Sequence, residues 1–562
     1  MPRTVSLVLL VSVAGGTLSC HESPPATPVS VLLVTIDTLR ADRLGMYGRG
    51  EAATPNLDRL ADEGTVFLDA VAHSPLTLPS HSSILTGTYP TYHGVRDNGR
   101  FRLPEQIDTL AEILKRAGYS TGAFVGGFPV HSRFGLSQGF DRYDDRLTRS
   151  PATLAFTERR AEEVVLAARE WRKGQEQGLY FLWVHLFDPH APYDPPEPFR
   201  SQHPDRYAGE VAYVDHALGS LFSAIGEGAL TIVTADHGEG LGEHGESTHS
   251  LFLYDSTLRV PLIFRGPGSP RGAVVSEQVR TIDILPTLLE LVGQAEACDA
   301  CQGESLARLM RGEDREARTS YAETFFPRLN LGWSELRSVR RKGWKYIAAP
   351  KPELYDLAAD PAELQNLASK KPRKLQELAA ELSALETSTQ GSLAASSRSL
   401  PDRATLSLLR SLGYLSAGRP PPAEGPLPDP KSRLAVWQKL RQGMDLVARG
   451  EFDEGIVVFE ALLQHEAGLL LAQSYLSGAY FEGGRYEAAA RQCAEILAAD
   501  PADFDAALLL GRSLLRLGRP REAKQALEQA ARLDHQAADP LAELANLHFQ
   551  QGARRQAREA LA

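Results

Sequence analysis

Cysteine is scarce in this chain, with four in 562 residues, at Cys20, Cys298, Cys301 and Cys493. That count rules out a disulfide-dense scaffold. The single C-x-x-C at Cys298 and Cys301 lacks the second ligand pair that a structural zinc site requires, so it reads as a loop closed by a disulfide. Blocks of Lys and Arg are also missing, and the net charge of -11 is spread along the length. Nucleic-acid binding, whose electrostatic footprint is basic, is therefore not expected. No apolar run beyond residue 20 is long enough to span a bilayer.

The N-terminus holds the one membrane-directed segment: Arg3, an apolar run from Val5 to Ala14, and then Gly-Gly-Thr-Leu-Ser-Cys20. This is the size of an export signal. Residues 1–20 are expected to be a signal peptide, either of lipoprotein type with Cys20 lipidated or an ordinary cleaved signal or short anchor. The expected location is the periplasm or outer cell envelope, with any membrane contact made through lipid on Cys20. Residues 21–29, rich in Pro, read as a tether.

Hydrophobic residues at 43% and charged residues at 23% are ordinary globular values, and the length allows a large core. Short apolar runs end abruptly in polar residues: Val31 to Ile36 at Asp37, Leu179 to Val184 at His185, and Leu230 to Ala235 at Asp236 and His237. Runs of this kind suit strands buried on both faces. Between them lie helical patterns at Thr54 to Gly64, Thr109 to Gly118, Thr153 to Lys173, Gly209 to Ile225 and Asp283 to Gly293, the first opened by Thr54 as N-cap and Pro55 at N1. The alternation predicts a doubly wound α/β fold with its ligands at the carboxyl ends of the strands. The polar clusters fall there.

A Pro-rich stretch, Arg419 to Pro430, lies in the predicted linker 416–432 and separates a different kind of chain. Gly450, Gly484, Gly518 and Gly552 recur every 34 residues. Small residues stand seven before each (Gly443, Ser477, Gly511, Ala545) and five after (Gly455, Ala489, Ala523, Ala557). This is the tetratricopeptide period, predicting an all-α solenoid over 433–562 whose concave face binds a peptide or protein. The fourth unit reaches its second helix at Ala562 without the usual polar capping helix. The linker implies that few contacts cross between the two parts.

Ser74 to Gly87 (S-P-L-T-L-P-S-H-S-S-I-L-T-G) is the most informative segment. It resembles the active-site signature of the sulfatase family, in the alkaline phosphatase superfamily, whose core C/S-x-P-S-R precedes L-L-T-G and whose Cys or Ser is oxidised to formylglycine. Thr77 stands at that position and His81 at that of the arginine. Threonine cannot yield the aldehyde, because its secondary alcohol would give a ketone. The resemblance runs from about Ser30 to Leu415, giving an expected catalytic domain over 30–415. It includes T-I-D-T-L-R-A-D at Thr35 to Asp42, H-G-V-R-D-N at His93 to Asn98, T-A-D-H-G-E at Thr234 to Glu239, L-R-V-P-L-I-F at Leu258 to Phe264, and the L-Y-D-L…D-P…N-L pattern at Leu354 to Leu367.

The resemblance implies a hydrolase of phosphoric or sulfuric esters with Asp37, Asp236 and His237 as metal ligands, Thr38 beside them and Thr77 as ligand and nucleophile. Where the family places Asp and Asn, Thr38 and His237 stand here, so zinc or manganese is favoured, with calcium as the alternative. His81, Asn98 and His190 align as partners of the substrate oxygens and His249 as the leaving-group acid. His185, Asp188 and His244, in the same segments, leave room for a second metal or for substrate contacts. Ser80 and Ser82 are rival hydroxyls. Two other readings stay open at this stage: a catalytically idle scaffold acting through its solenoid, and a phosphoryl-group transferase.

Overall fold

The computed structural model describes residues 28–48, 53–147, 158–175, 177–391, 426–533 and 538–559. The leader, Cys20, nearly all of the tether, and the first ten residues of the linker lie outside them.

Among the described residues, nine strands form one sheet in the order β4-β3-β5-β1-β6-β7-β2-β8, with β9 beside β2. At its centre are β1 (Val31–Ile36), β5 (Tyr180–Leu186) and β6 (Leu230–Ala235). All three are buried along their whole length, because helices cover both faces of a parallel sheet and leave no polar face to alternate with. The flanks are β3 (Ser120–Val125) with β4 (Arg142–Asp144), and β7 (Arg259–Arg265) with β2 (Thr65–Val71), β8 (Ala273–Val275) and β9 (Val279–Arg280). The sheet is mixed, since β7 runs antiparallel to both β6 and β2.

Register fixes the position of the polar residues. Ile36 pairs with Leu186 on one side and with Ala235 on the other, so three neighbouring strands end in step. The next residues, Asp37 and Asp236, are thereby set side by side, one strand spacing of about 4.8 Å apart.

The helices match the periodic segments, with two adjustments. Thr54 does not cap the helix Pro55–Asp62 through its side chain. The buried Asp215 does so from the helix Arg206–Ile225, accepting from the Asn56 and Leu57 amides at 3.1 and 2.8 Å. A longer-range carboxylate thus satisfies the orphan amides that a local threonine was expected to serve. The pattern expected from Thr153 is a helix only over Ala161–Lys173, with residues 153–157 outside those described. Cys298 and Cys301 form the expected disulfide.

A second, antiparallel sheet of four strands follows, β10 (Ser320–Thr324), β11 (Leu336–Arg341), β12 (Trp344–Ala348) and β13 (Glu353–Asp356), backed by the helix Pro372–Thr389.

The repeat region consists of antiparallel helix pairs: Leu434–Ala448 with Phe452–Leu463, Leu470–Glu482 with Tyr486–Ala499, Phe504–Arg516 with Pro520–Leu533, and Ala538–Gln550 with Arg554–Glu559. Gly450, Gly484, Gly518 and Gly552 take positive φ between the helices of each pair, which is why the period shows as glycine. Gly443 is small because the Phe459 ring lies on it; a Cβ there would sit 2.6 Å from Cε1.

The expectation of few contacts across the linker is overturned. Trp437, Leu440 and Met444 of the first array helix share one apolar cluster with Leu251, Phe252, Phe326, Leu331 and Trp333 of the catalytic part. The rings of Trp437 and Phe326 meet edge to face at 5.7 Å. Polar contacts flank them, with the Asp429 carboxylate accepting from the Lys351 amide at 2.9 Å and Lys431 Nζ 2.6 Å from Glu353. The cause is the composition of that helix, whose apolar stripe is too wide for its array neighbours alone.

A chain ending at residue 425 would expose this patch, so it should self-associate on size exclusion and unfold at lower temperature than the full chain. Trp437→Ala in the full chain should remove about 3–5 kcal/mol of interface packing, read as a lower melting temperature.

Candidate active site

Thr77 opens the helix Thr77–Thr86, all ten residues of which are buried. Leu76 provides no side-chain cap; instead the Asn98 carbonyl oxygen accepts from the Leu78 amide at 2.8 Å. Gly87, at φ 66°, closes the helix in the left-handed conformation. A helix N-terminus favours negative charge, and the Thr77 hydroxyl is placed at it. That hydroxyl donates to Asp37 Oδ2 at 3.4 Å. The rival hydroxyls are committed to backbone: Ser80 donates to the Asp236 carbonyl at 2.5 Å and Ser82 to that of Leu78 at 2.8 Å.

Asp37, Asp236 and His237 present ligand atoms that all lie within 4.8 Å of one another, fully buried. His237 donates from Nδ1 to the Gly238 carbonyl at 2.9 Å, and its Nε2 faces the two carboxylates, 3.4 Å from Asp236 Oδ2 and 3.8 Å from Asp37 Oδ1, which raise its pKa; in the neutral ring that Nε2 carries the lone pair a cation would use. Asp236 Oδ1 is held by the amides of His237 (2.8 Å) and Thr38 (3.3 Å), but Oδ2 has no hydrogen-bond partner; neither have Asp37 Oδ1, His237 Nε2 and Thr38 Oγ1. Asp37, Asp236 and His237 thus each bring a buried ligand atom without a hydrogen-bond partner into one cluster. Burial raises the Asp37 carboxyl to about 7 and raises Asp236 as well, with Asp37 adding to the latter. A divalent cation would reverse that penalty, and two carboxylates with an imidazole are a donor set suited to one.

Thr38 has φ 55°, which a β-branched residue adopts only under constraint. Tyr207 supplies it: its hydroxyl donates to the Thr38 carbonyl at 2.8 Å and accepts from the Arg40 amide at 3.0 Å. The strained turn aims the Thr38 amide at Asp236.

The remaining sequence candidates divide. His185 Nε2 lies 3.5 Å from Asp37 Oδ2, and both its ring nitrogens are buried without hydrogen-bond partners. The Asn98 Nδ2 is likewise buried and unpartnered, since Leu78 fixes which way the amide turns. His190 donates from Nδ1 to the Ala191 carbonyl at 2.6 Å and sits edge-on to His249, 5.1 Å between rings. His249 lies 4.5 Å from the His237 ring, its Nδ1 3.0 Å from Glu239 Oε1.

Three candidates are placed otherwise than expected. His81 is next to the cluster, but its Nδ1 donates to the Thr77 carbonyl at 2.8 Å and its Nε2 meets Thr35 Oγ1 at 2.9 Å. Burial drops it to about 3, so it buttresses the helix as a neutral ring instead of replacing the arginine's charge. Asp188 accepts from the Ala161 amide at 3.0 Å and pairs with Arg160, which makes it a helix cap. His244 stacks on Tyr254 at 3.6 Å. Among the described residues, the metal-type grouping of His, Cys, Asp and Glu is Asp37, Asp236 and His237 alone, so Asp188 and His244 do not build a second metal site.

Glu239 ends the T-A-D-H-G-E motif, and its role comes from the fold. Its Oε2 accepts from Tyr193 at 3.0 Å and its backbone carbonyl from Arg40 at 3.0 Å, so it is a fixed support for His249. The only signal for it was adjacency to Asp236 and His237.

The Sulfatase family model matches residues 30–294, the C-terminal family model of N-sulphoglucosamine sulphohydrolase matches 242–389, and a Tetratricopeptide repeat model matches 446–513. The chain carries a sulfatase-family domain followed by tetratricopeptide repeats. It is similar to a Delta 4,5-hexuronate-2-O-sulfatase of Bacteroides thetaiotaomicron, 25% identical over 67% of this chain and 90% of that protein. It is also 25% identical to a multifunctional alkaline phosphatase superfamily protein of Trinickia caryophylli, over 61% of this chain and 91% of the relative. In fold, it resembles the phosphonate monoester hydrolase of Agrobacterium radiobacter, with a TM-score of 0.55 over 64% of this chain and 96% of the other, at 22% identity. The sulfatase-family domain thus has a mixed α/β sheet like those of solved sulfatases.

Asp236→Asn and His237→Ala should each weaken binding of divalent metal by at least about tenfold, measured by metal analysis after dialysis against defined zinc or manganese. Unchanged metal content in both variants would remove these residues from any metal site.

Proposed function

We propose that the chain is a metal-dependent hydrolase of phosphoric or sulfuric esters that uses Thr77 as its nucleophile. The observation that carries this is the Thr77 hydroxyl, alone among three nearby hydroxyls in facing a carboxylate, at a helix N-terminus beside a cluster of unpartnered buried ligand atoms. Asp37, Asp236, His237 and Thr38 would hold a divalent ion, zinc or manganese by the imidazole in the set, with calcium as the alternative. When bound, such an ion supplies positive charge for the ester oxygens and lowers the pKa of a hydroxyl beside it.

The other steps belong to this chain's own side chains. Asp37 accepts the Thr77 proton's hydrogen bond and orients the oxygen for attack. Asn98, its carbonyl pinned by Leu78, has its amide hydrogens left to donate to a non-bridging oxygen as charge develops there. His185 stands beside Asp37 and His190 against His249, each available as a further contact for the substrate oxygens. Burial raises the Glu239 carboxyl to about 8 and lowers His249, so Glu239 would donate its proton to His249 Nδ1 as the Nε2–H is given to the departing alkoxide, leaving a neutral ring and a Glu239 carboxylate. His81 serves the attack indirectly by holding the first turn of the helix that carries Thr77.

A sulfatase aldehyde hydrate releases sulfate by elimination from a geminal hydroxyl. Thr77 has none, so its adduct must be cleared by water attacking the central atom, a route better suited to phosphorus. The same reading extends to location and partner. The apolar leader and the Cys298–Cys301 disulfide support an exported, periplasmic or envelope protein, and the repeats support a peptide or protein ligand on the concave face of the array.

Thr77→Ala should lower kcat by at least about 10³-fold with an unchanged melting temperature, Thr77→Ser should keep part of the rate, and Ser80→Ala should stay within tenfold of wild type. Wild-type turnover by Thr77→Ala would exclude Thr77. For substrate class, kcat/KM for an aryl phosphodiester or phosphonate monoester should exceed that for the matching aryl sulfate by at least about tenfold, roughly 1.4 kcal/mol. Efficient aryl-sulfate hydrolysis without activity on phosphorus esters would reverse that assignment.

A further inference from the structure

The first array helix, Leu434–Ala448, lies against the loop that joins His237 to His249. A Cβ on Gly245 would fall 2.5 Å from Leu434 Cδ2, and Gln438 Nε2 donates to the Gly245 carbonyl at 3.1 Å. Arg441 follows Gln438 by three residues and so lies on the same face of the helix, one turn on. Its charge bears on His190, Tyr193, Glu239 and His249, the groups on the leaving-group side of the site.

Arg441 is largely covered, with 22% of its side chain exposed, yet it has little to hold. Nε is buried without a partner, and the acceptor recorded for the guanidinium is Asp445 Oδ1, one turn away at 3.4 Å. The arginines of the catalytic part near this edge are already engaged. Arg40 is bidentate to Asp42 and bonded to Glu243 and the Glu239 carbonyl, and Arg160 pairs with Asp188 and Glu210. An arginine presents five donors in a planar fork that matches a carboxylate, sulfate or phosphate.

We propose that Arg441, contributed by the repeat array, binds the alcohol portion of the substrate and selects esters in which that portion carries a second oxyanion, such as a carboxylate. The transferred group belongs beside Thr77, Asn98 and the Asp37–Asp236–His237 cluster; Arg441 shares the helix face that meets the His237–His249 loop, and its charge reaches His190 and His249, on the side assigned to the leaving group. The array is then a specificity element of the active site as well as a binding surface. This inference rests on the ester-hydrolase reading.

The test compares full-length wild type, Arg441→Ala and Arg441→Lys on two aryl esters of the class that wild type hydrolyses best, identical except for a carboxylate on the ring. For the carboxylated ester, KM should rise at least tenfold in Arg441→Ala with kcat within threefold, and Arg441→Lys should restore part of the loss. The plain ester should change by less than threefold. An equal loss on both esters, or no loss on either, overturns the proposal. Calorimetric binding of hydroxybenzoate, the carboxylated product, separates the two readings. If wild type hydrolyses neither ester, the hydrolase reading fails, yet at least tenfold weaker hydroxybenzoate binding in Arg441→Ala still supports the subsite. Equal binding, or none to either protein, overturns it.

Discussion

Two carboxylates buried side by side at the ends of adjacent parallel strands are the constraint on which the rest of this molecule is arranged. Asp37 and Asp236 are fixed there by strand register, with no water-exposed surface to disperse their charge. Like charges so placed cannot both be ionised cheaply, and the two carboxylates in turn raise the pKa of the His237 ring beside them. The surroundings answer the same problem. The backbone of Thr38 and His237 neutralises one oxygen of Asp236, Tyr207 holds the strained Thr38 turn, and the helix beginning at Thr77 points its positive end at the pair. What the surroundings leave unsatisfied is the part of the site that a cation fits.

The nucleophile position depends on this arrangement more than on the identity of its side chain. Thr77 stands where the family signature has a Cys or Ser, and its neighbours differ from that signature as well. His81, in place of an arginine, spends both ring nitrogens on the helix and on Thr35, so the charge that the arginine would bring is absent from this side of the site. Under the proposed reading, positive charge would come from a bound ion on the strand side and from Arg441 on the other.

The repeat array is therefore more than an appended binding module. Its first helix completes an apolar cluster with Phe326, Trp333 and Phe252 and closes over the loop that carries His249. A ligand on the concave face of the array could bias this helix only through contacts that differ between its bound and free positions. The short path from Leu434 and Gln438 to Gly245 supplies the physical link on which such coupling would act.

The chain's one-dimensional pattern determined the strands, the repeat and most of the catalytic cluster. Buried parallel strands need apolar runs with nothing polar until their ends, so Asp37, His185, Asp236 and His237 were visible as interruptions, and a turn that demands positive φ made the 34-residue period visible as glycine. Tertiary structure alone decided which of the polar residues touch. Asp188 and His81 have the residue types of a site, but their partners are backbone groups, Arg160 and Thr35, set by the fold, and Asp215 caps a helix from about 160 residues away. Glu239 acquires its place from the position of His249, and the proposed role of Arg441 depends on the packing of its helix against a loop nearly 200 residues earlier in the chain. Residue type and spacing report on hydrophobic period and backbone geometry, which are local; hydrogen-bond direction and electrostatic proximity are set by contacts between distant segments, and only the folded chain brings those together.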